Sequence, residues 1–155
     1  MDVPGNSAET VRLGRLAHDL GFLLRLAQVK VYERYFQQCG EHRIKPGEFS
    51  VLWAISHNPG IRQTVLCQRL IIKRSHMTKL VRLLEARGLV SRRVPDDDRR
   101  GVELTLTATG QAMVEGVAKW FFAFEDSLGA EMGEPDRSQF IALLLKFIAS
   151  ENGDA

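Results

Sequence analysis

The chain has 155 residues, 45% of them hydrophobic and 26% charged, with a net charge of +2. That is ordinary globular composition, long enough for one domain with a real core. No apolar run approaches the ~18 residues of a membrane span, and the first ten residues lack the basic and apolar regions of a secretory signal, so the expected location is cytoplasmic with no membrane partner.

Charge is segregated along the chain. Residues 73–100 hold nine Lys or Arg against four acids, whereas residues 113–155 hold three against eight. A polyanion would be drawn to the first stretch and held off by the second. The two cysteines, Cys39 and Cys67, have no CxxC spacing, so neither a disulfide framework nor a zinc site is expected, and no cofactor.

Residues 1–8 are expected to be disordered. From about Glu9 to Cys39 the pattern predicts one long helix inside an N-terminal dimerisation segment, residues 9–44. Leu13, Leu16, Leu20, Leu23 and Ala27 form one stripe; Phe22, Leu26, Val29 and Phe36 form another. Some thirty residues at 1.5 Å each span roughly 45 Å, more than a small domain can cover, and a second chain is the natural partner.

Residues 45–107 read as a separate head. Pro46 sits in the first turn of a helix that buries Phe49, Leu52, Trp53 and Ile55 with Ser56, and Asn58-Pro59-Gly60 stops it. Residues 62–70 form a short helix with Val65, Leu66 and Leu70 inward. After Ile71 and Ile72 a second helix has Met77, Leu80, Val81 and Leu84 at i, i+3, i+4 and i+7. The positions left over, Arg74, Ser75, Thr78, Lys79 and Arg82, are all hydrogen-bond donors and point away from the core. Gly88 can end this helix in a left-handed conformation. Val90, Arg92 and Val94 then alternate with Ser91 and Arg93, and Val102, Leu104 and Leu106 with Glu103, Thr105 and Thr107, around a polar loop from Pro95 to Arg100. Two short helices and a basic hairpin have the shape of a winged helix-turn-helix DNA reader.

Thr107 can cap a helix over about Ala108–Leu128, and a last helix is expected over about Pro135–Ser150. Together they make a C-terminal dimerisation segment, residues 108–150, followed by a tail, 151–155. Leu13, Leu16, Leu20, Phe121, Phe140, Leu144, Phe147 and Ile148 are the expected dimer contacts. The fold class is mainly α with a small β-hairpin wing.

Across nearly its whole length the sequence resembles the MarR family of bacterial transcriptional regulators. The matching pieces are Leu70, the run KRSHMTKLVRLLEARGLV, the wing PDDDRRG, and LTATG, close to the family's LTxxG. The resemblance implies a homodimer on a pseudo-palindromic duplex operator. Recognition helices would enter successive major grooves and wing tips the minor groove, with any ligand held between reading head and dimer module. By position Arg100 matches the wing-tip arginine, and Asp98 an acid that braces wing arginines. Lys73 departs from the acidic or small cap of many members, and Cys67 from a common alanine.

DNA contacts are therefore expected from Arg74, Ser75, His76, Thr78, Lys79, Arg82, Arg92, Arg93, Arg99 and Arg100. Asp96, Asp97 and Asp98 lack the alternating ligands and glycine of a calcium loop. His18, Phe22, Arg25, Tyr32, Trp53 and His57 could line a cleft for an aromatic or phenolic acid, with the arginine neutralising its carboxylate. The alternative for Phe22, Tyr32 and Trp53 is that they are simply core or dimer contacts. No nucleophile–base pair or phosphate loop is present, so an enzyme is not expected. The reading is a DNA-binding regulator, a homodimeric repressor released by a small ligand. A redox regulator using Cys39 or Cys67, and a protein-interaction module without DNA binding, stay open.

Overall fold

The computed structural model describes residues 11–42, 44–96 and 101–151. Expectations for residues 1–8, for Asp98, Arg99 and Arg100, and for the tail beyond residue 151 lie outside the described residues. The chain divides into two compact units between Gly40 and Glu41.

In the first unit the expected continuous helix is broken. A 3-10 turn, Gly14–His18, precedes helix α1, Leu20–Gln38. Asp19 is extended (ψ 125°) and Gly14 takes φ +56°, which a helix interior does not allow. At 19 residues α1 is about 28 Å long, so the length argument for a partner fails. Leu13, Leu16, Leu20, Val29 and Phe36 are all exposed.

The second unit begins with helix α2, Pro46–His57, whose Glu48 side chain accepts from the Lys45 backbone N–H at 3.3 Å. Strand β1, Ile61–Arg62, comes next, a two-residue element whose Arg62 the sequence pattern places in the following helix. Helix α3, Gln63–Arg69, buries Leu66 and Cys67, while Val65, expected inward, is exposed. Helix α4, Arg74–Ala86, buries Met77, Leu80, Val81 and Leu84, as their spacing required.

The end of α4 is a Schellman motif. Gly88 (φ +71°) donates to Glu85 O at 2.8 Å and Leu89 to Leu84 O at 2.9 Å. Strands β2, Val90–Arg93, and β3, Glu103–Leu106, form the hairpin; β2 stops before Val94, which is exposed. The antiparallel sheet has the order β1-β3-β2, with Ile61 opposite Leu104 and Arg93 opposite Glu103.

Helix α5, Ala108–Ser127, is capped as expected: the Thr107 hydroxyl accepts from the Gly110 N–H at 3.0 Å. It packs on α2, with the Phe121 ring stacked on Phe49 at 4.0 Å. Phe121, expected at a dimer contact, is thus 8% exposed and belongs to the core of its own unit. For the same reason residues 45–107 and α5 form one packed body rather than two. Helix α6, Asp136–Glu151, buries none of its residues.

Candidate nucleic-acid interface

The link from α3 to α4 fixes how the second helix is presented. Leu70 N–H donates to Leu66 O and Ile72 N–H to Cys67 O, both at 3.0 Å, closing a tight turn. Ile71 between them has φ +52° and is 76% exposed. A β-branched residue held there carries about 1–2 kcal/mol of strain, so the hydrogen bonds and flanking helices impose the turn on it. Lys73 is the N-cap of α4 and makes no side-chain capping bond.

With the apolar stripe inward, Arg74, Ser75, His76, Lys79 and Arg82 are exposed. Among the described residues no carboxylate pairs with Arg74, Lys79 or Arg82. Thr78 lies on the same outward side, half-buried and already engaged: its hydroxyl donates to Arg74 O at 2.9 Å and accepts from Gln63 Nε2 at 3.2 Å.

The hairpin cations differ from those of the helix. Arg92 Nε donates to Glu85 at 2.7 Å, tying β2 to α4, and Arg93 forks onto Glu103 at 2.8 and 3.1 Å. Both are expected among the DNA contacts; each is paired here with one of the protein's own acids. Arg93 and Glu103 are direct cross-strand partners, so the β2–β3 register creates that pair.

The far end of α4 is pinned to α2. Glu48, 6% exposed, receives Arg87 Nη1 at 3.1 Å alongside the Lys45 N–H. Sequence reasoning missed Gln63, Glu48 and Arg87, because nothing local in the sequence signals a bond across 15 or 39 residues. Strand alternation puts Arg93 and Glu103 on strands but does not give the register that pairs them.

Of the residues expected at a ligand, Trp53 and His57 sit one turn apart on α2. Their rings are 4.4 Å apart, and Phe122 of α5 meets Trp53 edge-on at 4.7 Å. His18, Phe22, Arg25 and Tyr32 belong to the first unit, and all but Phe22 are exposed. Cys67 is buried, and burial pushes its thiol pKa up against a smaller lowering by Arg74, which disfavours the reactive thiolate. Cys39 donates to Phe36 O at 3.7 Å. No helix among the described residues is long and apolar enough to cross a membrane.

Helix, tight turn, donor-faced helix and antiparallel hairpin define a winged helix-turn-helix protein. The chain belongs to the MarR family, whose sequence model matches residues 44–101. It is 28% identical to a putative transcriptional regulatory protein for the hcr operon of Thauera aromatica over 152 residues, covering 96% of this chain and 91% of that protein. The transcriptional repressor CouR, solved on a 23-mer DNA duplex, is 30% identical with a TM-score of 0.81, covering 90% of this chain and 99% of its own. CouR bound to p-coumaroyl-CoA matches at 28% identity with a TM-score of 0.80, covering 90% and 98%.

Proposed function

We propose that this protein is a homodimeric repressor whose two α4 helices enter successive major grooves of a pseudo-palindromic operator, and that a small aromatic ligand releases it. The observation that carries the reading is the outward side of α4. It is rich in donors and unpaired in its cations, directly opposite a stripe that belongs to the core. Arg74, Lys79 and Arg82 hold phosphates, Ser75, Thr78 and Lys79 reach base edges, and His76 lies beside them. Arg99 and Arg100, with Asp98 as brace, serve the minor groove at the hairpin tip. The relative solved on DNA supports this docking.

Dimerisation uses the apolar residues each unit leaves uncovered. These are Leu13, Leu16 and Leu20 in the first, and Phe140 and Ile148 with the half-buried Leu144 and Phe147 in the second. The ring of an aromatic effector stacks on Trp53, His57 and Phe122. On the first unit Arg25, with His18, Phe22 and Tyr32, offers a cation and rings for the same ligand class. That one relative is solved with p-coumaroyl-CoA fits this chemistry. Release follows from geometry: half-sites one helical turn apart need heads ~34 Å apart, and a ligand favouring another separation lowers DNA affinity by that difference.

Mobility-shift titration against salt tests the reading. With about eight phosphates engaged per dimer, log K falls with log salt at a slope near −7. DNA binding that is absent or indifferent to salt refutes it in favour of a protein-interaction module, and loss of binding on peroxide treatment favours a thiol switch.

A further inference from the structure

We infer, on the footing of the DNA-reading role proposed for α4, that Gln63 acting through Thr78 makes the recognition helix reject guanine at one step of each half-site. A threonine hydroxyl has one proton and two lone pairs. In Thr78 the proton goes to the Arg74 carbonyl at 2.9 Å and one lone pair receives Gln63 Nε2 at 3.2 Å. A base meeting Thr78 therefore finds one lone pair and a methyl group, and no donor.

In the major groove, adenine and cytosine present amino groups that a lone pair accepts, and thymine presents a methyl that packs on a methyl. Guanine shows only the acceptors N7 and O6. Acceptor faces acceptor, and a desolvated guanine edge goes unpaired.

Gln63 is well placed to hold this arrangement. It is the first residue of α3, its N–H donates to Val102 O at 2.8 Å, and the preceding Arg62 is paired with Glu103 of β3. The amide that sets the hydroxyl is thereby anchored to the wing sheet. Without that amide, the hydroxyl can rotate its proton towards a base and offer guanine the donor it lacks.

The test starts from the duplex that the full-length protein selects from random DNA. Affinities are measured for every single-base change in a half-site, using wild type, Gln63→Leu, Thr78→Val and the double variant. Wild type is expected to show one position where guanine costs about tenfold or more, within the range of a single mismatch. Gln63→Leu should cut that penalty several-fold and leave the other positions and the salt slope unchanged. Thr78→Val, still without a donor, should keep excluding guanine, and in its background Gln63→Leu should add nothing. Uniform weakening on all duplexes by Gln63→Leu overturns the inference in favour of a purely structural glutamine. So does a Gln63→Leu effect that persists in the Thr78→Val background, or a wild type that reads DNA yet accepts guanine everywhere. A wild type with no salt-sensitive, sequence-preferring binding overturns the DNA-reading role itself.

Discussion

Gly110 and Gly116 lie on one helix, and the same substitution should move stability in opposite directions at the two. A Cβ on Gly110 would sit 2.9 Å from the Leu89 carbonyl carbon and closer still to its oxygen, below the 3.0 Å that real Cβ contacts respect. The neighbour is backbone, so no rotamer change relieves the clash. The start of α5 and the Leu89 segment must separate by roughly 1 Å, which close-packed interiors do not accommodate freely. Overpacking of this kind costs about 3 kcal/mol, and replacing a helical glycine by alanine returns about 1 kcal/mol, leaving Gly110→Ala roughly 2 kcal/mol less stable. At this chain length that lowers Tm by roughly 4–8 °C. The displaced junction also holds the Thr107 N–H on Leu89 O at 3.0 Å and the Thr107 hydroxyl on Gly88 O, so the wing root should shift and operator affinity should fall as well. A Cβ on Gly116 meets nothing within 4 Å, and Gly116→Ala should gain about 1 kcal/mol. Urea unfolding of the three proteins at one protomer concentration reads both effects. Equal stability of wild type and Gly110→Ala, or a loss on Gly116→Ala, would falsify this account of how α5 seats on the wing.

Removing Arg87 strands the Glu48 carboxylate in the core with only the Lys45 N–H. Arg87→Ala should cost about 2 kcal/mol in urea melts, less than the ~3–5 kcal/mol of a fully buried pair because the Arg87 side chain is 32% exposed; a neutral result would show that water already screens the pair. Leu144→Glu places a charge among the proposed dimer contacts and should give monomers in sedimentation, whereas an intact dimer would move the interface elsewhere. Burial, then the neighbouring Asp126, raises the Glu125 carboxyl pKa, so the folded state binds a proton more readily than the unfolded one. Its destabilising effect is present at neutral pH and relieved as pH falls through the carboxylate range. Glu125→Gln should therefore stabilise at about pH 7 and change little near pH 4, and a gain of equal size at both would exclude titration as its source.

What the sequence disclosed was governed by range. Pro46, Thr107, Gly88 and the i, i+3, i+4, i+7 stripe of α4 act within a few residues, and the structure uses them as their chemistry required. The break at Asp19 was hidden because leucines keep helical spacing through a 3-10 turn, although Gly14 and an aspartate at an N-cap were visible signals. Strand β1 has two residues, too few to show a period, and exists because β3 offers it a partner. Phe121 looked like interface because its neighbours are all aromatic, and only the packing of α5 on α2 separates inner rings from outer ones. At the interface the identity of the cations was legible, and their partners were not. Which arginines are already occupied depends on the strand register and on the approach of α4 to β2.

That occupancy reaches into solution behaviour. The Arg92–Glu85 and Arg93–Glu103 pairs are themselves loosened by mobile ions, so raising ionic strength both competes with the duplex and frees two more guanidinium groups per subunit to meet it. A plot of log affinity against log salt should consequently bend, steeper at the concentrated end, where each extra phosphate contact adds to the slope, and a count of positive side chains would misjudge its steepness at the dilute one.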